Sequence, residues 1–451
     1  MSRPQSEAEY LARMVPTSVA ATSLNRRTLF KGAVGGAAAL SIPGLLAACG
    51  SSSSGGAGAS GGSAKGTITL GSYSSDATPK KSLAAQVAGF QTSSGNTVKI
   101  NTVDHNTFQE NINNYLQGNP DDVFTWFAGY RMRFFAAQGL AGDISDVWPK
   151  LSGFTDGFKN ASTGDDGKQY LVPFDYYPWA LFYRKSVWAA HGYTVPTTVD
   201  QLITLSKQMQ KDGLVPIAFA DKDGWPAMGT FDVLNMRVNG YQFHIDLMAG
   251  KKAWNGPEVK KVFDAWTQLL PYHQTNSLGR TWQEAAQTLQ QKKAGMYLLG
   301  LFVAQQFTAA EQSDIDFFTF PAIDSTIGSD ALDAPIDGMM MRNKPKNEAG
   351  AKAFLEYIGS VDAEKIALAN DPGNLYPNSG LDTSSYTALQ KKAAELVGSA
   401  KSIAQFLDRD TRPDFASTVM IPQLQAFIKD PTKVNDILDS IESQKKSIFT
   451  S

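Results

Sequence analysis

The chain has 451 residues, of which 42% are hydrophobic and 19% are charged, so it is long enough for two or three lobes with real cores and too apolar for a disordered protein. Its 41 Lys and Arg nearly balance 43 Asp and Glu, and a net charge of -2 leaves no basic excess to neutralise the phosphates of a nucleic acid. A single cysteine excludes an internal disulfide framework, and the 4 histidines lack metal-binding spacing, so we expect neither a metal nor a cofactor.

The first 48 residues have the composition of an export signal. Residues 1–31 are rich in positive charge, with Arg3, Arg13, Arg26, Arg27 and Lys31 against Glu7 and Glu9. The apolar, Gly- and Ala-rich run that follows over residues 32–48 is short for a membrane span, and Pro43 disfavours a continuous helix. The segment Asn25–Lys31 resembles the twin-arginine export signal, and an ordinary Sec signal is the alternative.

The apolar run ends in Leu46-Ala47-Ala48-Cys49, where small residues precede the one cysteine of the chain. This sequence resembles a bacterial lipobox, whose cysteine accepts a lipid, and a chance match is the alternative. Residues 49–66 are almost entirely Gly, Ser and Ala, a composition typical of a flexible linker. Because a diacylglyceryl group supplies two acyl chains, we expect an exported body anchored to the extracellular face of the cytoplasmic membrane through Cys49.

The body after the linker alternates predicted strands and helices. Strands are predicted at Thr67–Leu70, Val98–Asn101 and Asp122–Trp126, and apolar residues at helical spacing predict a helix between the first two. This order implies crossover connections and a largely parallel sheet.

Later segments continue the same pattern. Thr198–Gln201 and Thr281–Glu284 fit capping boxes, and Pro257 stands in the first turn of a further predicted helix. Short apolar runs predict buried strands at Pro216–Ala220, Met296–Leu299 and Ile315–Phe320. The predicted fold class is therefore α/β throughout the body.

Motifs of catalysis are mostly absent from the body, which has no GxSxG elbow, P-loop or Rossmann fingerprint. Asp221–Gly224 lacks the third acidic position and the distal Glu of a calcium loop, so we interpret it as a turn. Asp121-Asp122 and Asp165-Asp166 are neighbours in a strand and a turn, whereas a glycosidase needs two carboxylates facing each other across a cleft. We interpret both pairs as solvated and expect no enzymatic activity.

Aromatic residues beside polar ones give the strongest chemical signal. They occur in the stretches Trp126–Arg131, Phe174–Trp179 and Asp223–Pro226, each with Gly, Pro or Asp nearby. Sugars have apolar C–H faces and a rim of hydroxyls, so their sites need flat aromatic rings and planar polar side chains. In open α/β sheets, ligands lie outside the carboxyl ends of the strands, where the first stretch is predicted to fall. The stretches therefore indicate a sugar site.

The body resembles the family 1 extracellular solute-binding proteins, the sugar-binding lipoproteins of ABC importers. Four segments carry the resemblance in the family's order: Trp179–Lys185, Gly192–Thr198, Lys293–Gly300 and Gly338–Ser360. Phe302 is a departure, because the family often has a sugar-stacking Trp there.

The resemblance implies a two-lobed, type II periplasmic-binding-protein-like fold with the ligand between the lobes. The N-terminal lobe is expected at residues 67–177 plus about 338–375, and the C-terminal lobe at residues 178–337 plus about 376–451. Crossings between them are expected near Asp175–Trp179 and Ala334–Gly338. The implied function is capture of a mono- or oligosaccharide by hinge closure and delivery to ABC-transporter permease subunits, by a protein expected to be a monomer.

The expected ligand-binding residues are spread over both lobes and the crossings. Aromatic platforms and polar acceptors are expected at Trp126, Tyr130, Asp175, Tyr176, Tyr177, Trp225, Phe302 and Asp337, with Asn374 and Tyr376 closing over the ligand.

Alternative functions remain open at this point. A glycerophosphodiester or other polar solute could bind the same fold, in which case Arg131 or Arg184 would supply the basic group. An exported glycoside hydrolase would explain the aromatic stretches alone, and a lipid-anchored scaffold would have no small ligand.

Overall fold

The computed structural model describes residues 66–449. The predicted export signal, the lipidation site Cys49 and nearly all of the linker lie outside these residues. The described part of the chain contains eleven strands, numbered β1–β11 in chain order: Thr67–Ser72, Thr97–Thr102, Val123–Phe127, Leu171–Tyr176, Trp179–Arg184, Val215–Ala218, Ala294–Gly300, Ile315–Phe318, Ala331–Asp333, Ile336–Met341 and Ser402–Ala404.

Helices connect and cover these strands. The α-helices span Ala77–Ser94, His105–Gln117, Tyr130–Ala137, Asp156–Ala161, Lys185–His191, Val199–Lys211, Trp225–Asn239, Tyr241–Met248, Pro257–Leu269, Trp282–Gln290, Ala309–Gln312, Glu348–Ile358, Val361–Asn370, Ala388–Ser399, Leu407–Asp410, Pro413–Phe415, Ile421–Lys429 and Val434–Phe449. Short 3₁₀ turns lie at Trp148–Lys150, Leu270–Tyr272, Ser277–Gly279, Leu301–Gln306, Thr383–Ser385 and Pro431–Lys433, and a π-helical turn at Ala416–Met420.

The strands form two main sheets. The first has five strands in the order β2-β1-β3-β10-β4, and the second has four strands in the order β6-β7-β5-β8. The chain passes from the first sheet to the second between β4 and β5, and β10 returns it to the first. A small parallel pair, β9 with β11, brings the segment before this return together with Ser402–Ala404.

Strand direction corrects one expectation. β1 is parallel to β2 and β3, as predicted, but β10 runs antiparallel to both β3 and β4. In the second sheet β6 and β7 are parallel, whereas β5 is antiparallel to β7 and β8. Both sheets are therefore mixed. The chain crosses into the second sheet with β5 and returns to the first with β10, and these are the strands that run antiparallel to their neighbours.

Most of the predicted elements are confirmed with small shifts of their ends. Thr281 and Glu284 form the complete capping box expected for the helix Trp282–Gln290. Thr198 caps its helix as well, but the Gln201 side chain reaches the backbone nitrogen of Thr197 instead, so the second box is incomplete.

The first sheet separates two layers of core, since successive residues of a strand point to opposite faces. Met339 and Met341 of β10 pack on one side with the helices Ala77–Ser94 and Glu348–Ile358, while Met340 packs on the other with Phe124 and Phe135. A third core fills the second lobe around Trp254, Trp266 and Phe263. Each sheet is therefore packed against core residues of its own.

Asp122 departs from its interpretation as a solvated carboxylate. It is buried, and its oxygens accept hydrogen bonds from the backbone nitrogens of Thr69 at 3.0 Å and Lys346 at 2.6 Å. These bonds join β1 to the segment after β10, so Asp122 has a structural role. Within residues 66–449, no helix is both long and apolar enough to cross a bilayer.

The loop that follows the helix Val361–Asn370 is held by a buried carboxyl. Glu364 accepts the backbone N–H of Asn378 at 3.0 Å, and burial raises the Glu364 pKa from 4.5 to about 8. Burial likewise raises the pKa of Asp221 to about 8. The folded protein therefore keeps protons that the unfolded chain releases above about pH 4.5, which lowers stability as pH rises.

We predict that the free energy of unfolding falls from about pH 5 to about pH 8, with each such group contributing up to about 1.4 kcal/mol per pH unit. Glu364→Gln keeps an acceptor for Asn378 and removes the titration, so it should flatten the pH dependence. Urea unfolding at several pH values measures this, with Glu356→Gln, whose side chain is 42% exposed, as the control. Equal slopes for Glu364→Gln and the control would contradict the assignment.

Candidate functional site

A cavity of about 160 Å³ lies between the two sheets, at the carboxyl ends of β1, β4, β6 and β7. This is where ligands settle in open α/β folds. The first sheet contributes residues following β1 and along β4 and β10, and the second contributes residues following β6 and β7. The residues used below line it: Tyr73, Asp76, Asp104, His105, Asp175, Tyr177, Trp179, Asp223, Trp225, Trp282, Gln283, Phe302, Asp337, Asn374, Phe406, Asp408 and Arg409.

A buried ion pair lies at the base of the cavity. Nη1 of Arg409 donates to Oδ1 of Asp337 at 2.6 Å, and Nη2 donates to the hydroxyl of Tyr177 at 2.9 Å. The guanidinium also lies 3.9 Å from the centre of the Phe127 ring, a distance typical of a cation–π contact. Arg409 therefore ties the C-terminal part of the chain to three strands or strand ends of the first sheet.

Asp175 stands directly opposite Asp337 in the antiparallel pairing of β4 with β10. Its Oδ2 accepts a hydrogen bond from Nδ2 of Asn374 at 2.8 Å. The other oxygen of Asp175 and the amide oxygen of Asn374 are buried without a hydrogen-bond partner among the described residues. Since an unpaired buried polar atom costs about 1–3 kcal/mol, the pair is suited to a ligand that supplies hydrogen-bond donors.

The electrostatics differ between the two carboxyls. Burial raises the pKa of Asp175 well above its usual range, and the neighbouring Asp337 and Asp371 raise it further. Burial also raises the pKa of Asp337, although the Arg409 guanidinium acts in the opposite direction. His105 is neutral at pH 7, because burial, reinforced by Arg409, lowers its pKa to about 4.

Aromatic rings form the walls of the cavity. Trp179 meets Trp225 edge to face with ring centroids 6.3 Å apart, and Trp225 meets Phe302 in the same manner at 6.1 Å. Phe302 in turn packs on Tyr177 at 5.0 Å. The indole nitrogen of Trp179 is buried and has no hydrogen-bond partner among the described residues.

The close packing of Trp179 depends on a glycine in a helix. A Cβ on Gly229 would lie 2.5 Å from the Trp179 ring and 2.8 Å from the Phe406 ring. Phe406 itself has a φ of 122°, a strained value for a residue with a side chain. It turns the chain so that its ring packs on Trp179 at 5.1 Å while Asp408 and Arg409 enter the cavity.

Comparison with known proteins assigns the chain to a family. The model for bacterial extracellular solute-binding proteins matches residues 73–365, well over half of the chain. The chain belongs to this family. The resemblance inferred from the sequence is thereby confirmed.

Individual relatives agree with the assignment. An ABC transporter extracellular-binding protein of Pyrococcus horikoshii is 24% identical over 73% of this chain and 72% of its own. A probable sugar-binding periplasmic protein of Mesorhizobium japonicum is 26% identical over 50% of this chain and 55% of its own.

Solved structures match over nearly the whole body. The bacterial solute receptor AcbH, described as having an exclusive preference for β-D-galactopyranose, is 49% identical with a TM-score of 0.83, and the match covers 85% of this chain and 100% of AcbH. A chitin oligosaccharide binding protein has a TM-score of 0.75 at 22% identity, over 85% of this chain and 99% of its own, which shows the fold alone. The two-lobed α/β fold expected from the sequence is confirmed.

The fold of this solute-binding protein brings part of the expected site together. Six of the expected residues line one cavity: Asp175, Tyr177, Trp225, Phe302, Asp337 and Asn374. They come from β4 and its end, β10, the starts of two helical segments and the loop after the helix Val361–Asn370.

Four expected residues lie elsewhere, for reasons of side-chain direction. Trp126 is fully buried under the helix Tyr130–Ala137. Tyr130 and Tyr176 line a separate groove, since Tyr176 points to the opposite face of β4 from its neighbour Asp175. Tyr376 is buried, and its hydroxyl donates to the carbonyl of Asp371 at 2.7 Å.

Sequence reasoning missed several residues of the cavity. Tyr73 follows β1, and Phe406, Asp408 and Arg409 come from a segment treated only as part of the second lobe. His105, which follows β2, is only a lesser candidate from the sequence, where a histidine in a surface turn is the commoner outcome, and it also lines the cavity. The run Asp408-Arg409-Asp410 next to Phe406 was a usable signal, because charges beside an aromatic residue marked the other stretches. Among residues 66–449, no cluster of His, Cys, Asp and Glu could hold a metal ion.

We predict that Gly229→Ala destabilises the protein by about 1–3 kcal/mol, because the new methyl group collides with two rings that cannot both retreat. A thermal unfolding experiment should show a clearly lower Tm. Gly398→Ala is the matched control, since a Cβ there meets nothing within 4 Å and its helix should be unchanged or slightly more stable. Equal Tm values for the two variants would refute the packing argument.

Proposed function

We propose that this protein binds a single hexopyranose, with galactopyranose as the first candidate, between lobes that close on a hinge. Supporting this is one observation above others: the small cavity combines aromatic walls with the unpartnered polar atoms of Asp175, Asn374 and Trp179. The 49% identity with AcbH, a receptor described as preferring β-D-galactopyranose, points to the same sugar.

Size favours one sugar ring over a chain of them. The cavity measures about 160 Å³. Sites for drug-sized ligands measure about 300–1,000 Å³. An oligosaccharide would need the lobes to remain apart, which would leave the polar atoms near Asp175 in contact with water.

Charge disfavours an anionic ligand such as a glycerophosphodiester. Carboxylates dominate the lining, with Asp76, Asp104, Asp175, Asp223, Asp337 and Asp408 against the single guanidinium of Arg409. Arg409 is already paired with Asp337. Arg131 is paired with Asp408 at 3.2 Å, and Arg184 does not line the cavity and is paired with Asp314 at 2.8 Å. A neutral ligand rich in hydroxyls matches these groups better.

The cellular part of the proposal follows from the family and the N-terminal sequence. The receptor is held at the extracellular face of the membrane by a lipid on Cys49, and it delivers its sugar to an ABC-transporter permease as a monomer. The lobes are residues 67–177 with about 338–375, and residues 178–337 with about 376–451, a division supported by the two sheets. The protein is a receptor and not a glycosidase, so chromogenic glycosides should not be turned over.

We predict that D-galactose raises the Tm of the protein in a panel of mono-, di- and trisaccharides and glycerophosphodiesters. A ligand at 100 times its Kd adds about 2.7 kcal/mol to stability. Asp175→Asn and Trp225→Ala should each weaken binding at least about tenfold, since they remove a carboxyl acceptor and an aromatic wall.

Isothermal titration of the two variants measures the loss, with Asp146→Asn, whose side chain is 63% exposed, as the control. A shift with a phosphodiester and none with any sugar would overturn the choice of ligand. A preference for trisaccharides would overturn the size argument.

A further inference from the structure

The starts of two helices meet across the mouth of the cavity, one from each lobe. Asp76 is the N-cap residue of the helix Ala77–Ser94, which follows β1 of the first sheet. Gln283 lies in the first turn of the helix Trp282–Gln290, which packs on β7 of the second sheet. Nε2 of Gln283 donates to Oδ1 of Asp76 at 3.2 Å. This hydrogen bond joins the two lobes directly.

The Asp76 side chain forms this bond instead of capping its own helix. An N-cap Asp normally accepts a backbone N–H from the first turn of its own helix, but the Asp76 side chain forms no such bond. Pro79 stands at the third helical position and has no N–H to donate, so the backbone N–H of Thr78 is left as the usual partner. Asp104 and Thr281, which also lie near the mouth, do cap their helices.

The position of Gln283 is fixed by helix contacts that also support the cavity wall. The capping box of Thr281 and Glu284 fixes the start of its helix. The neighbouring Trp282 packs edge to face on Phe302 with ring centroids 5.2 Å apart. The position of Gln283 is therefore coupled to a ring that faces the ligand.

Like charges oppose the same closure. Asp223 follows β6 in the second lobe, whereas Asp76, Asp104 and Glu110 belong to the first. Burial raises the pKa of Asp223, and the three carboxylates across the mouth raise it further, against the effect of Lys222. Bringing the lobes together therefore costs electrostatic free energy, which an attractive contact at the mouth offsets.

We propose that the hydrogen bond between Asp76 and Gln283 is a latch that holds the lobes closed and sets the residence time of the bound sugar. When the lobes open, Asp76 is released to cap its own helix, so the latch exchanges one hydrogen bond for another. The latch rests on the proposed hinge closure, but it does not depend on which sugar is bound.

Two variants separate the latch from the cap. Asp76→Ser keeps a strong N-cap but is too short to reach Gln283, and Gln283→Ala removes the donor. We expect both to release D-galactose about tenfold faster in stopped-flow fluorescence, with association rates within about twofold of the unmodified protein. Gln287→Ala, an exposed position on the same helix, is the control. Faster release in Gln283→Ala but not in Asp76→Ser would make Gln283 a sugar contact and overturn the latch.

A distance measurement without sugar tests the latch independently of the ligand. The chain has one cysteine, so Cys49→Ser followed by Ala88→Cys and Lys207→Cys places one spin label on an exposed helix position of each lobe. We expect Gln283→Ala and Asp76→Ser to shift the distances between labels toward longer values. Unchanged distances together with normal galactose binding would overturn the latch and leave the proposed function intact. Longer distances between labels in a protein that does not bind galactose would support the latch and overturn the choice of ligand.

Discussion

The buried guanidinium of Arg409 connects the parts of the chain that form the cleft. It donates to Asp337 on β10 and to Tyr177 at the end of β4, and it lies over the ring of Phe127 at the end of β3. A buried charge must be paired to be tolerated, so these segments have to meet in one arrangement. The ion pair between Arg409 and Asp337 fixes the C-terminal segment against the strands that join the lobes. Asp175 lies beside Asp337 but has no cation of its own.

That asymmetry gives the cleft its chemical character. Asp337 is neutralised by its partner, whereas Asp175 has Asn374 alone and retains one free oxygen. The site therefore has acceptors for hydroxyl groups at its base, aromatic rings on its walls and an excess of carboxylates at its mouth. A neutral, hydroxyl-rich ligand satisfies the first two features, and an anion would meet repulsion from the third.

The mouth and the base of the cleft have different tasks in the proposed mechanism. Each sheet packs against core residues of its own, so the proposed closure would change mainly the contacts across the cleft. At the base, the ligand is recognised by atoms that water could otherwise reach. At the mouth, the carboxylates around Asp223 oppose closure and the hydrogen bond between Asp76 and Gln283 favours it, so a bound ligand adds to the attractive side.

The sequence by itself determined the class of the fold, the order of its first strands and helices, and the family. Hydrophobic periodicity and capping residues are local signals, so they located β1, β2, β3 and the helix that begins after Thr281. It also placed Asp175 and Trp225 among the expected site residues, and both line the cavity, because polar and aromatic residues next to turns are visible without knowing what lies opposite them.

Only the tertiary structure decided which of these residues share a cavity. The alternation along β3 and β4 placed Trp126 in a core and Tyr176 on the far face of its strand, although the sequence indicated both as ligand-binding residues. Arg409 lies more than two hundred residues from Tyr177 in the chain, so no local pattern could pair them. The packing of Phe406 on Trp179 and the hydrogen bond between Asp76 and Gln283 likewise depend on tertiary structure, because each joins segments that are distant in sequence.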